Sequence, residues 1–121
     1  MKKIYPYFIN KDERGVIKGI CNHLKIEEIN FVKSEANIIR GGHYHKDTQE
    51  LFYIINGEVE VEIQDLKGNV LSSDRFISGD IFVIEPYELH TFKVLVQSCW
   101  INALTKKFSL DSPDIYQLNK K

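Results

Sequence analysis

The alternation of apolar and polar positions is strongest in the middle of the chain. From Glu58 to Gln64 every second residue is a valine or an isoleucine, and the residues between them are glutamates and a glutamine. Such alternation predicts a β-strand with one face packed against a core and the other in solvent. Asn56-Gly57 directly before this strand is typical of a two-residue turn, so we expect a hairpin between the strand and the apolar run at 51–55.

Other short apolar or alternating segments are predicted strands, separated by turns rich in glycine, proline, asparagine and aspartate. They cover residues 5–9, 16–20, 24–32, 51–55, 70–71, 81–84, 90–96 and 99–104. The apolar spacing slips by one residue between Ile26 and Ile29, which predicts a bulge. Eight to ten short strands without an amphipathic helix indicate an all-β sandwich or small barrel. We expect the tail at 106–121 to pack loosely or on a partner subunit.

Composition describes one ordinary globular domain over residues 1–121, with 43% hydrophobic and 27% charged residues. A formal net charge of -1 gives no reason to expect nucleic acid or an anionic membrane as a partner. No apolar run is long enough to span a membrane, and the N-terminal residues lack the apolar core of a signal peptide, so a cytoplasmic location is expected. Cys21 and Cys99 lie among apolar residues and are predicted to be buried free thiols.

The candidate chemistry is concentrated in two stretches of the chain. His43 and His45 are two residues apart, which places both imidazoles on one face of a strand. Glu50 opens the next predicted strand, and His90 lies far downstream. Three imidazoles and one carboxylate suit a divalent transition metal, and zinc, iron, manganese, nickel and copper all remain open. Without a metal, His43 or His45 could act as a general base.

Side chains around the histidine pair have two interpretations each. Arg40 either holds a diphosphate at the rim of the site or forms a surface salt bridge. Gly41-Gly42 permits a bulge or a close backbone approach, and Tyr44 is predicted to face away from the histidines. Glu85 and Glu88 near His90 either orient an imidazole or carry loop charge.

These residues resemble the first motif of the cupin family, a His-x-His pair followed by a glutamate and then a glycine. The match is His43-x-His45, four residues, Glu50, six residues and Gly57, within a motif at about 37–57. The family usually begins this motif with glycine, where this chain has Asn37.

The second cupin motif is matched less closely, at about 79–94. Gly79 and His90 keep the family spacing, Pro86 is one position late, Glu88 stands near an expected glycine, and Val94 replaces the usual asparagine. The resemblance implies a jelly roll or conical β-barrel of two antiparallel sheets with a pocket at one mouth. It also implies that the metal ligands are His43, His45, Glu50 and His90, and that the protein is a homodimer.

A narrower resemblance is to cupins that act on nucleotide-linked sugars. Asp12-Glu13-Arg14-Gly15 and the stretch Arg40-Gly-x-His43-x-His45-Lys46 are similar to segments of the 3,4-ketoisomerases, the dTDP-4-dehydrorhamnose 3,5-epimerases and the capsular-polysaccharide cupin domains. Ketoisomerases usually have glutamine in place of Glu50, so this residue favours the metal-binding group.

This likeness implies an enzyme that isomerises or epimerises a nucleotide-linked keto-sugar in surface polysaccharide biosynthesis. His43 or His45 would remove a proton beside the keto group to give an enediol or enediolate. Arg40 would bind the substrate, and Arg14 would either reach it from a neighbouring subunit or belong only to a turn, with Gly15 supplying the positive φ. The alternatives are a metal-dependent oxygenase or hydrolase of another small molecule, and a non-catalytic cupin that binds or senses a ligand.

Overall fold

Eleven β-strands account for the regular structure in the computed structural model, which describes residues 1–118. No helix is present within those residues, and the prediction of an all-β fold is confirmed. The strands are β1 Lys2–Ile4, β2 Phe8–Asp12, β3 Gly15–Gly19, β4 Glu28–Ser34, β5 Ile39–His43, β6 Glu50–Asn56, β7 Glu58–Gln64, β8 Val70–Ile77, β9 Ile81–Ile84, β10 Leu89–Val94 and β11 Ser98–Leu104.

The strands form two larger antiparallel sheets and one small one. The five-stranded sheet has the order β1-β9-β6-β11-β4, and the four-stranded sheet has the order β5-β10-β7-β8. Strands β2 and β3 form a separate two-stranded sheet. Buried side chains from both larger sheets belong to one apolar cluster, so these sheets face each other in the jelly-roll arrangement that the sequence indicates.

Aromatic rings fill the centre of the space between the sheets. The Phe82 ring stacks on the rings of Phe76 and Phe52, at centroid distances of 4.0 and 5.0 Å. Phe92 packs between Phe52 and Trp100, and none of the five side chains is more than 5% exposed. Burial of each such ring contributes about 1.5–3 kcal/mol. The alternation in β7 is also confirmed, since its valines and isoleucine are at most 1% exposed.

A second apolar cluster covers the outer face of the five-stranded sheet. Buried Leu51, Ile81 and Ala103 pack against residues of the segment between β3 and β4, including Cys21 and Leu24. The segment therefore acts as a cover for the sheet. Residues 24–27 belong to this cover and lie outside β4. The predicted strand at 24–32 is therefore wrong in its first half.

Three other local predictions need correction. The pairing of β4 with β11 runs without a register shift, so the predicted bulge is absent from that pairing. Both cysteines are free thiols but are only partly buried. Strand β8 is eight residues long, because its polar residues pair with the backbone of β7.

The predicted hairpin at Asn56-Gly57 is also wrong. Strands β6 and β7 flank this turn but belong to different sheets, so the chain crosses from one sheet to the other there. Gly57 has φ +104, and a Cβ on it would lie 2.0 Å from the Ser98 Oγ. Glycine is needed at this crossing for its backbone conformation and for space.

The tail packs on its own chain. Tyr116 forms an antiparallel bridge with Tyr44, and the two residues exchange backbone hydrogen bonds of 2.9 and 3.0 Å. The expectation of a loosely packed tail is therefore wrong for this part of the chain, while packing on a partner subunit stays a prediction. The last predicted tail residues, 119–121, lie outside the described part. No helix in residues 1–118 has the length and apolar character needed to cross a membrane.

Candidate metal centre and its cavity

The four predicted ligands meet at one end of the space between the sheets. His43 ends β5, His45 lies two residues beyond it, Glu50 begins β6, and His90 lies in β10. One possible ligand atom from each of the four side chains lies within 4.8 Å of those of the other three. The imidazole centroids are 4.6 to 5.4 Å apart. The structure thus brings together residues that are up to 47 positions apart in the sequence (43 to 90).

A bulge in β5 sets His43 opposite His90. The pairing of β5 with β10 passes from His43 opposite His90 to Gly41 opposite Thr91, which leaves Gly42 as the extra residue. Gly41 has φ +93, and a Cβ there would lie 2.7 Å from the carbonyl oxygen of His90. The predicted bulge and close backbone approach at Gly41-Gly42 are both confirmed.

Two main-chain carbonyl groups orient the other imidazoles. His45 Nδ1 donates to the carbonyl oxygen of Asp114 at 2.5 Å, and His90 Nδ1 donates to that of Glu88 at 3.1 Å. A carbonyl oxygen only accepts, so the proton is assigned to Nδ1 and Nε2 is left to face the carboxylate. The Nε2 of His45 contacts Glu50 Oε1, and that of His90 lies 3.8 Å from Glu50 Oε2.

Burial makes this cluster costly without a cation. His45, Glu50 and His90 are only 5%, 6% and 2% exposed. Among the described residues, the buried Nε2 of His45 has no partner with hydrogen-bond geometry, although the Glu50 carboxylate lies against it. Buried polar atoms and carboxylates of this kind are normally paired or bound to a metal. Three imidazoles and one carboxylate are ligand types that zinc and related divalent transition metals bind, so the donor set fits such an ion by its chemistry.

The pKa values are perturbed in opposite directions. Burial, together with the neighbouring charges of His90 and His45, lowers the pKa of His43 to about 4. Burial also lowers the pKa of His90, against the opposing effect of Glu50. For His45, burial is outweighed by the Glu50 carboxylate and the Asp114 carbonyl, which raise its pKa. Burial of Glu50 is outweighed by the imidazoles, which lower the pKa of its carboxyl. His43 is therefore neutral at pH 7.

Asp114 is a site residue that the sequence patterns do not indicate. Its carboxylate accepts hydrogen bonds from the backbone amides of Lys46 and Asp47, at 2.9 and 2.8 Å, and from the Thr48 hydroxyl at 2.8 Å. Burial of the carboxyl is outweighed by these donors, so its pKa is lowered. Asp114 thus fixes the loop between His45 and Glu50 with its side chain, and His45 itself with its main chain.

A cavity of about 390 Å³ opens beside the cluster. Its walls contain all four candidate ligands, Arg40 and Asp114. The apolar part of the wall comes from both larger sheets and the tail: Val32, Phe52, Phe92, Trp100, Leu104, Phe108 and Ile115. This volume is within the usual range of about 300–1,000 Å³ for small-molecule sites.

The two predicted substrate-binding arginines lie in different places. Arg40 is exposed at the cavity, where its Nε donates to the Ser34 hydroxyl at 2.5 Å. Arg14 lies at the turn between β2 and β3, outside the cavity wall, and forms an ion pair of 2.7 Å with Asp12. Within one chain, therefore, Arg14 does not join the cluster.

The remaining predicted neighbours have structural contacts. Tyr44 stacks with Tyr87 and Tyr116 and does not line the cavity, as predicted. Glu88 orients His90 through its main-chain carbonyl, and its carboxylate contacts the N-terminal amine of Met1.

Comparison with known proteins supports one family. Residues 10–116 match the family model described as the polysaccharide biosynthesis C-terminal domain. No match was found among curated proteins.

Three solved structures share the fold at low sequence identity. The capsular polysaccharide assembling protein CapF from Staphylococcus aureus superposes with a TM-score of 0.68 at 19% identity, over 97% of this chain and 35% of CapF. The sugar 3,4-ketoisomerase QdtA from Thermoanaerobacterium thermosaccharolyticum, solved in complex with TDP, has a TM-score of 0.75 at 13% identity, over 93% of this chain and 85% of QdtA. The dTDP-4-dehydrorhamnose 3,5-epimerase from Sulfolobus tokodaii has a TM-score of 0.71 at 18% identity, over 84% of this chain and 68% of the epimerase. The chain thus spans about a third of the length of CapF.

Proposed function

The chain belongs to the polysaccharide biosynthesis C-terminal domain family, and on that basis we propose that it is a metal-binding enzyme that isomerises or epimerises a nucleotide-linked keto-sugar. One observation carries the proposal: three imidazoles and one carboxylate converge on the wall of a cavity that is large enough for a sugar. Fold-level likeness to QdtA and to the 3,5-epimerase supports the substrate class.

The candidate ligands divide into two groups by their contacts. His45, Glu50 and His90 are buried and in mutual contact, so they form a three-residue set that would hold the ion and leave positions open. A bound divalent ion would supply Lewis-acid polarisation of the sugar carbonyl. His43 is less buried, has no ion-pair contact with Glu50 and lines the cavity. His43 is therefore the proposed base, and it is also placed to complete the ligand set when no substrate is bound.

The proposed reaction begins with removal of a proton from one carbon and ends with protonation of a carbon. Neutral His43 takes the proton from the carbon beside the keto group, and the C–H bond electrons move into the new C=C bond of an enediolate. Inversion needs a donor that protonates the carbon from its opposite face. For the keto group to move instead, the former carbonyl carbon takes the proton, and the hydroxyl on the neighbouring carbon gives its proton to the former carbonyl oxygen. The lowered pKa of His43 keeps its imidazole neutral at pH 7, so the ring can accept the proton, but it also makes His43 a weaker base than an ordinary imidazole.

A nucleotide would lie at the open end of the cavity. Arg40, Lys106 and Lys107 are exposed and line it there. Guanidinium and ammonium groups bind phosphate oxygens, so these side chains would hold the diphosphate. We also propose a homodimer, in which Arg14 of one chain reaches the nucleotide of the other. The β2–β3 sheet carries exposed apolar residues, Ile9 and Ile17 among them. Such an exposed apolar surface supports contact with a second subunit at this sheet.

Solvent exchange tests the proposal. The protein is incubated in deuterium oxide with a panel of TDP-, UDP- and GDP-linked 4-keto-6-deoxyhexoses, and deuterium in the sugar ring is measured by mass spectrometry. We expect deuterium beside the keto group with the unchanged protein and with the control His23→Ala, whose histidine lies outside the cluster. With His43→Ala, incorporation should fall by at least about 100-fold, the usual contribution of a general base.

Two results would point to other functions. Binding of these sugars without any deuterium incorporation would replace the proposal with a non-catalytic ligand-binding protein. Iron or copper in the purified protein, together with oxygen consumption on a small substrate, would replace it with an oxygenase.

A further inference from the structure

Besides Glu50, three polar side chains interrupt the apolar wall that the five-stranded sheet contributes to the cavity. Glu28 and Asn30 lie on β4 and Asn102 lies on β11, and the antiparallel register sets Asn30 directly opposite Asn102. All three line the cavity and are partly buried, beside Val32 and Trp100 of the same strands. We refer to Glu28, Asn30 and Asn102 as the amide row.

Hydrogen bonds connect the amide row to the candidate metal centre. Asn30 Nδ2 donates to Glu28 Oε2 at 2.9 Å, and Glu28 Oε1 accepts from the Phe108 amide at 3.1 Å. The contact from Asn30 Nδ2 to Asn102 Oδ1 is 3.5 Å, and that from Asn102 Nδ2 to Glu50 Oε2 is 3.4 Å. Both of the latter are near the upper limit for a hydrogen bond, so they are weak.

The row has spare donors and acceptors. Among the hydrogen bonds of residues 1–118, Asn30 Oδ1 accepts none, and Asn102 Nδ2 uses one of its two N–H groups. Partly buried amide groups lose water without gaining full compensation from the protein. A hydroxyl group both donates and accepts, so adjacent hydroxyls on one ligand could satisfy both amides at once. The apolar neighbours Val32 and Trp100 would contact the hydrocarbon face of the same ring.

We propose that the amide row is a subsite for adjacent hydroxyl groups of a sugar ring, and that Asn30 and Asn102 determine which sugar is accepted. This inference rests on the proposed function and adds to it how the ring is oriented. Because Asn102 also contacts Glu50, hydroxyls bound at the row set the neighbouring ring carbons beside the metal cluster. The preferred ligand is therefore a sugar with two neighbouring free hydroxyls next to its reacting carbons.

Binding of matched sugars tests the inference. Calorimetry measures the affinity of the metal-loaded protein for a TDP-linked 4-keto-6-deoxyhexose, for its 2-deoxy and 3-deoxy analogues, and for TDP alone. We expect Asn30→Ala and Asn102→Ala to weaken binding of the parent sugar by roughly tenfold and to leave binding of TDP unchanged. For at least one deoxy analogue, Asn30→Ala should bind as tightly as the unchanged protein. The control is Asn69→Ala, which lies in the turn after β7 and outside the cavity.

The outcomes separate this inference from the proposed function. If the unchanged protein binds the parent sugar and both variants bind it equally well, the amide row is not a subsite, while the proposed function stands. If the unchanged protein binds a metal but none of the nucleotide-linked sugars in the wider panel, both are refuted. Should Asn102→Ala fail to fold, Asn30→Ala decides alone, because Asn30 contacts none of the candidate ligands.

Discussion

Replacement of Asp114 by alanine tests how the tail supports the candidate metal centre. The substitution removes three hydrogen-bond acceptor contacts, to the amides of Lys46 and Asp47 and to the Thr48 hydroxyl. The residues that carry the two amides are exposed, so water can replace those contacts. Thr48 is only 4% exposed, and its hydroxyl would be left without its partner. The expected loss in the free energy of unfolding is therefore about 1–3 kcal/mol, the cost of one buried unsatisfied group.

Metal binding should weaken as well, by a free energy comparable to this loss of stability. Without the anchored side chain, the Asp114 carbonyl no longer holds His45 Nδ1, so the imidazole loses its fixed orientation. Changes in groups that orient a ligand typically weaken metal affinity about 10- to 100-fold. This corresponds to about 1.4–2.8 kcal/mol in binding free energy.

The assay combines metal competition with hydrogen exchange. Zinc affinity is measured against a chelator of known strength, and amide protection is measured across residues 44–49 in the metal-free protein. Asp111→Ala is the matched control, since this exposed aspartate of the same tail does not line the cavity. Unchanged zinc affinity and unchanged protection at residues 46 and 47 in Asp114→Ala would refute the reasoning.

Three further predictions concern stability and are measured by thermal or denaturant unfolding. Gly41→Ala should cost about 2–4 kcal/mol, because the residue has a positive φ and the new Cβ would meet the His90 carbonyl. Its control is Gly68→Ala, which also has a positive φ but open space around it and should cost about 1 kcal/mol. Equal costs for the two variants would contradict the proposed clash. Phe82→Ala should cost about 3–5 kcal/mol, since its fully buried ring contacts three other phenylalanines, and a loss below about 1 kcal/mol would contradict the described core. Ser98→Ala should cost about 1–2 kcal/mol, because the amide of the first β7 residue loses its acceptor; an unchanged midpoint would contradict that contact.

Three of the four candidate ligands follow local rules, whereas His90 is indicated by the spacing of the family motif. A two-residue spacing directs His43 and His45 to one side of the chain, and Glu50 is recognisable as the first residue of an apolar strand. The glycines before the pair indicate the bulge that sets His43 opposite His90.

The contribution of Asp114 is not predictable in this way. It lies 69 residues from His45, and the decisive contact is made by its main-chain carbonyl, which carries no sequence signal. The amide row is missed for a related reason. Asn30 and Asn102 meet through the pairing of β4 with β11, and that pairing depends on the whole topology.

The fold errors have equally specific causes. Asn56-Gly57 correctly marks a sharp turn, but the turn chemistry does not say whether the two strands pair with each other or with other strands. Strand β8 is at the edge of its sheet with mostly exposed side chains, so its central residues show no apolar alternation. Its formation depends on backbone pairing with β7, which a pattern of side chains does not reveal.

Location of a bound ion is the most direct test of the metal centre. A crystal of the protein grown with zinc, measured at the zinc absorption edge, should show one anomalous peak per chain between the imidazoles of His45 and His90 and the carboxylate of Glu50. Elemental analysis of the same sample should give about one zinc per chain, as expected for a single three- or four-ligand site. Absence of a peak at this position, with the imidazoles still bonded only to protein groups, would contradict the metal centre and the chemistry proposed for it.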